Sequence, residues 1–363
     1  MNAERLHAVA RVLNQELNET KIVTKLGSMC DAFETVVNQP HPQHQENLAN
    51  TLSAVRSALG GAASDSFSPA WRQMLQELGG EPLFGRSLNA AVEEILQRNQ
   101  ITPAVALKEF RELHKQVQAF KTAIEQLMNS LKFLKIGNEE LESGECEIGM
   151  LIPRDAVENN LEEFADELKE LSFILDVFSE VATGTPSDLS IKSISSSDLT
   201  VYLSACLPFA ACLAVAVERV VALYKQLLEI KKLRNELSRQ GVPKEQTTGI
   251  ENYANDLMER GIDQLSVQIV QEFHQGKDGG RKNELTNGVR VSLRRIAERV
   301  DRGYNIEVRV APQKIGQETT GDDNAAKIER IQAATKNMQF IKQEGAPILR
   351  LADRKEDRAA RSE

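Results

Sequence analysis

Aromatic residues are scarce in this chain. They make up 5% of its 363 residues, and Trp71 is the single tryptophan. A core short of large rings is filled by Leu, Ile, Val and Ala, which suits helix on helix better than a broad sandwich of sheets. Cysteine is sparse as well. Cys30, Cys146, Cys206 and Cys212 form no CxxC pair and no regular framework. That argues against a disulfide scaffold and fits reduced thiols in the cytoplasm. The five histidines, His7, His41, His44, His114 and His274, form no HExxH and have no ligand-spaced acid or cysteine beside them. No metal and no cofactor is expected from such a set. Glycine loops of the GxxxxGK[ST] and GxGxxG types are missing, and so is a GxSxG elbow. No catalytic residue is therefore named. A missing motif is weak evidence against an enzyme, because convergent sites are recognised by geometry.

What is present is ordinary globular material: 41% hydrophobic and 27% charged residues, with a net charge of -9. A net-acidic protein repels a polyanion unless its basic residues are segregated, so no specific nucleic-acid partner is expected. The opening stretch, MNAERLHAVARVLNQEL, carries a charge every few residues and has no signal-peptide core. A cytoplasmic location is the corresponding expectation.

Helical spacing dominates the first half. Leu6, Val9, Val12, Leu13, Leu17 and Ile22 recur at helical spacing, and Phe33 and Val37 continue it beyond Gly27. Pro40 and Pro42 break the pattern. Ser68-Pro69 reads as a capped helix start. The strongest signal follows Thr102-Pro103. Ala106, Phe110, Leu113, Val117, Phe120, Ile124, Leu127, Leu131 and Leu134 alternate 4 and 3 apart without a miss. Such a seam predicts lengthwise packing against another helix. Phe110, Leu113, Val117, Phe120, Ile124, Leu127 and Leu131 are the candidate interaction seam.

The pattern changes near residue 144. Segment 147–152 is a short strand candidate ended by Pro153, 189–193 and 306–310 alternate like strands, and the three predict one small sheet. An acidic helix from Asp155 to about Val181 lies between the first two and suggests parallel pairing. Ser195-Ser196-Ser197-Asp198 reads as the cap of the next helix, or broken pair of helices, running to about Gln240, with Pro208 starting a new helix or kinking this one. A helix-end phosphate site is the sharper reading of the same serines, and the cap is preferred. Thr248 and Glu251 suggest a capping box. Residues 282–300 predict another helix, 311–325 a linker, 326–338 a short helix. A small extended segment at Ile348–Leu351 is expected to dock back onto the fold.

Two segments invite functional readings. Leu199 through Val217 is uncharged for nineteen residues, close to the length of a membrane span. Abundant Ala and Ser, Pro208 in the middle and the amphipathic continuation from Glu218 favour a buried helix instead. The second is a basic patch, with Arg290, Arg294, Arg295, Arg299 and Arg302 as a candidate anion-binding surface. Internal pairing with the acidic helix at 155–170 is the plainer reading and is preferred.

The sequence thus predicts a mainly α protein with a small α+β portion. Long helices form bundle or coiled-coil packing, with a short three-stranded sheet. The expected divisions are an N-terminal helical region at 1–100, the heptad helix at 101–143, an α+β domain at 144–311, and a linker and tail at 312–363. The function expected is a non-enzymatic adaptor or regulatory protein whose partner is another protein or a second copy. A membrane-associated effector using helix 199–217 is the alternative, and an enzyme without a recognisable motif is a third reading.

Overall fold

The computed structural model describes residues 3–137, 141, 145–186, 189–195, 199–276, 278–311, 322–338, 341 and 345–351. The chain divides into two units, Met1–Glu140 and Leu141–Glu363, and among the described residues it is mostly helical with one four-stranded antiparallel sheet.

The first unit contains α1 (Ala3–Thr20), α2 (Ile22–Asn38), α3 (Pro42–Leu59), α4 (Pro69–Glu77), α5 (Gly85–Arg98) and α6 (Pro103–Phe133). The chain breaks between α1 and α2 at Lys21, whose φ of 51° is left-handed, and Gly27 lies inside α2. Ser68 caps α4 by accepting from the Trp71 N–H, and Pro69 occupies the first turn, where a missing N–H costs nothing. The heptad stripe of α6 faces α1, α2 and α5 of the same unit. Phe110 packs on Phe33 with ring centroids 5.4 Å apart, and Phe120 meets Phe84 edge-on.

One carboxylate is spent inside this unit. Glu16 of α1 is buried and accepts from the Ser64 N–H at 2.7 Å and the Ser64 hydroxyl at 3.0 Å. Burial nevertheless raises its pKa above the ordinary 4.5, because desolvation outweighs those two bonds, and nearby Asp65 adds to the rise.

The second unit contains β1 (Cys146–Leu151), α7 (Leu161–Thr183), β2 (Ile191–Ser195), β3 (Thr200–Ala205), α8 (Leu207–Arg239), α9 (Lys244–Phe273), α10 (Gly279–Asp301), β4 (Asn305–Val310) and α11 (Asp322–Asn337). The strand order is β2-β3-β1-β4, antiparallel throughout. Cys146, Ile148, Met150, Val201, Leu203, Ile306 and Val308 join the helical core. Glu147, Gly149, Tyr202, Glu307 and Arg309 alternate with them and share the other face, since side chains reverse at each residue. Gly149 is needed there: a Cβ would sit 2.9 Å from the Tyr202 ring and 3.0 Å from the Glu307 side chain.

Three expectations are corrected here. The sheet has four strands, not three. Segments 147–152 and 189–193 do not pair in parallel, because β3 lies between them and runs antiparallel to both. The missed strand is Thr200–Ala205, the first part of the run 199–217 that was expected to be helical. Val201 and Tyr202 favour the pleated conformation, and pairing on both edges satisfies the backbone. The helix starts only at Leu207, with Pro208 in its first turn. Of the serines expected to cap it, Ser195 ends β2, while Ser196, Ser197 and Asp198 lie outside the described residues. The Thr248–Glu251 pair sits inside α9, whose first residue is Lys244. The acidic helix begins at Leu161, capped by the Asn160 side chain accepting from the Glu162 N–H. Helix α5 carries no expectation from the sequence reading.

α8 has 33 residues and packs against α7, α9, α10, α11, β1 and β4, and Phe209–Val217 in its first half is buried. α11 covers the β4 edge, where the Thr335 hydroxyl donates to the Val308 carbonyl at 2.9 Å.

Ile124 is 3% exposed in the core of the first unit, so Ile124→Ala should cost about 2–5 kcal/mol. Equilibrium unfolding in urea measures it, and Ile124→Asp should cost more, since its charge would be buried unpaired. Glu16 gives a pH test. With its folded pKa raised, its contribution to stability is full below the unfolded value and is lost as pH rises through the folded one. Unfolding titrations from about pH 4 to about pH 7 should show wild type losing stability relative to Glu16→Gln as pH rises.

Candidate functional site

The sequence-derived seam lies inside the first unit. Phe110, Leu113, Val117, Ile124 and Leu131 are buried, and Phe120 and Leu127 pack against the same core. At the end of the stripe Leu134 is exposed, as is its neighbour Phe133.

The arginine patch lies on α10 and divides by helical period. Arg290 and Arg294 turn to α9: Arg290 lies 2.9 Å from Asp263, and Arg294 donates to Glu259 at 2.9 Å with both side chains buried. Arg295 and Arg299 turn to α7. Arg295 reaches Glu170 at 3.1 Å and stacks on Phe173, while Arg299 grips both oxygens of Glu167 at 2.6 and 3.1 Å. Arg302 is exposed. Four of the five cations thus clamp α10 between two acidic neighbours.

A third face of α10, carrying Glu298 and Asp301, builds a site that the sequence reading did not name. Asp301 is fully buried. One of its oxygens accepts from the Tyr224 hydroxyl at 2.6 Å and the Lys231 ammonium at 2.9 Å, both from α8. The other accepts two consecutive backbone N–H groups, Ile348 at 2.6 Å and Leu349 at 2.7 Å. Asn255 of α9 accepts from the Arg350 N–H at 2.7 Å and donates to the Ile348 carbonyl at 3.3 Å. Glu298 accepts from the Leu351 N–H. Arg234 of α8 donates to the carbonyls of Ala346 and Pro347 at 2.8 and 2.7 Å. Four successive N–H groups and three carbonyls of segment 346–351 are therefore held by side chains of three helices.

The side chains of that segment are held as well. Ile348, Leu349 and Leu351 are buried, and Ala346, Pro347 and Arg350 are exposed. The N–H groups of Ile348 and Leu349 converge on one oxygen, so the backbone turns there instead of running as a strand, and both side chains enter the core. The three helices thus form a groove that the segment fills as part of the core of the second unit. Its signal in the sequence was faint. Tyr224, Leu227, Lys231 and Arg234 continue the apolar stripe of α8 at 3-4-3 spacing, so two cations stand where core residues were due. The docking of Ile348–Leu351 was expected without a place for it.

The remaining reactive groups are mostly sequestered. Burial pushes the Cys30 thiol up to about 11 and Cys146 to about 12, and raises Cys212 further. Cys206 is exposed. Burial lifts the Tyr304 hydroxyl to about 12, with Glu167 adding to it. Among the described residues no group of three or more His, Cys, Asp or Glu side chains is placed to hold a metal ion. Compared with protein-family models, with curated proteins and with solved structures, the chain matches none.

Asp301→Ala would leave the Lys231 ammonium buried without its counter-ion. The expected loss is on the order of 3–5 kcal/mol, read by thermal or urea unfolding. Lys231→Met combined with Asp301→Leu removes both charges and should lose less than the sum of the single changes.

Proposed function

We propose that this chain is a non-enzymatic helical adaptor or regulatory protein that acts by protein–protein contact. One observation carries the reading: carboxylate, amide and guanidinium groups from α8, α9 and α10 converge on the backbone of a segment that belongs to no helix or strand. That is the chemistry of peptide recognition, in which main-chain hydrogen bonds give affinity and side-chain pockets give specificity. The polar groups of this groove are occupied in holding protein, and the arginines of α10 in holding its neighbours.

Self-association is the second part of the proposal. The α6 seam ends in exposed Phe133 and Leu134, a small apolar patch of the kind that a second copy covers, and coiled-coil pairing belongs to this reading. The membrane alternative rests on α8, which is long and apolar enough to cross a bilayer. Its apolar half fills the core of the second unit, so insertion would require that unit to open.

Cross-linking in the source cells followed by mass spectrometry tests the proposal. The expected result is a reproducible cross-linked protein, or a second copy, with the chain in the soluble fraction. Recovery of the chain alone and monomeric, or only in a carbonate-resistant membrane pellet, overturns it.

A further inference from the structure

We infer that Lys231 and Asp301 are the precursors of an internal cross-link: the two side chains condense to an amide with loss of one water, tying α8 to the C-terminal end of α10. Such a bond is independent of the adaptor reading above. The reacting groups are already in contact. The Lys231 Nζ lies 2.9 Å from one oxygen of Asp301, and both side chains are buried. Holding an amine against a carboxyl group replaces an encounter in solution by a step within one site, equivalent to about 10⁵–10⁸ M of reactant when the orientation is good. Condensation also removes two buried charges, one of them an anion at the helix end where the dipole disfavours it.

Each oxygen of Asp301 has the partner that the reaction needs. The one remote from Lys231 accepts the N–H groups of Ile348 at 2.6 Å and Leu349 at 2.7 Å. Two converging backbone N–H groups are the donors that stabilise an oxyanion when an amine adds to a carboxyl carbon. The segment that carries them is fixed: Ile348, Leu349 and Leu351 belong to the core, and Arg234 holds the carbonyls of Ala346 and Pro347. The oxygen near Lys231 is served by a relay. Lys231 donates to the Tyr224 oxygen at 3.1 Å, and the Tyr224 hydroxyl donates to Asp301 at 2.6 Å.

The steps balance within the site. One proton passes from the ammonium to the nearer Asp301 oxygen, leaving a free amine and a carboxylic acid. The lone pair of Nζ forms the bond to Cγ, and the C=O electron pair moves onto the oxygen held by Ile348 and Leu349. The nitrogen then gives up a proton, which Tyr224 passes to the hydroxyl oxygen of Asp301. The bond from Cγ to that oxygen breaks, its electron pair leaves with the oxygen as water, and the C=O re-forms. Nothing is oxidised or reduced, and no co-reactant is required. In the product the amide oxygen keeps both backbone donors, and the amide N–H has the Asp301 backbone carbonyl beside it, 3.2 Å from Nζ. The bond joins positions 70 residues apart, so it restricts the unfolded chain as a disulfide does.

The test is the mass of the denatured full chain, followed by a tryptic map. The wild type should be lighter than its sequence by one water. Its digest should contain a branched peptide joining Lys231 to Asp301 and show no cleavage after Lys231. Lys231→Met should have the full mass of its sequence. Tyr224→Phe, sampled at intervals after synthesis, should form the bond at least about tenfold more slowly than wild type. Wild-type protein of full mass that trypsin cleaves after Lys231 overturns the inference. A water deficit that persists in Lys231→Met overturns it as well, since the deficit then belongs to another site. Bond formation in Tyr224→Phe as fast as in wild type overturns the relay. If the variants do not fold, the presence or absence of the branched peptide in the wild type still decides.

Discussion

The second unit depends on the carboxylate of Asp301. It is fully buried, and it sits at the C-terminal end of α10, where the helix dipole disfavours a negative charge. Such a charge survives only if both its oxygens are fully used. One is neutralised by Lys231 and bonded by Tyr224, and the other binds two backbone N–H groups of a segment 47 and 48 residues away in sequence. The same atom group therefore ties α8, α10 and the segment 345–351 together. Lys231 adds a bond to the Asp301 backbone carbonyl at 3.2 Å, so the cation also answers an exposed end of the α10 ladder.

α10 is the element around which this arrangement is possible. From Ser292 to Asp301 every residue is buried, although five of those ten are charged. A helix polar all round is stable inside a protein only when each face meets its complement. Here one face is apolar, with Leu285, Val289, Leu293, Ile296 and Val300 in the core. The others carry ion pairs to α9, ion pairs to α7 and the groove. Breaking any buried pair is costly, though an apolar replacement of both partners need not be. The charges are thus better understood as fixing which neighbour lies on which side of α10 than as a source of net stability.

Much of this architecture could be read from the sequence, and the failures have physical causes. The α6 stripe was legible because nine apolar residues repeat at one period, and a buried stripe leaves no other signature. The strand at 306–310 was legible from alternation, and the one at 147–152 as a short segment ended by Pro153. β3 was not, because Val201-Tyr202-Leu203 sits in a continuous apolar run, where period 2 and period 3.6 look alike. The pairing direction then followed the missing strand. The groove was nearly invisible for a different reason. Its residues come from three helices and a segment about fifty residues beyond the last, and each looks like an ordinary surface residue until the helices pack. Only the cations at the end of the α8 stripe broke the pattern.

α8 shows why an apolar run near span length is a poor guide by itself. The helix changes character at Glu218. Before it, Phe209–Val217 is enclosed by helices and by the sheet, and small residues such as Ala210, Ala211, Ala214 and Ala216 let those neighbours approach closely. After it, buried Tyr224, Lys231 and Arg234 supply the groove. The apolar half would gain from lipid only what it already gains from the core, since both remove it from water. The polar half would lose three specific partnerships if the helix moved. Both halves are therefore best satisfied with α8 where it is, and the transition between them fixes the position of the groove relative to the sheet.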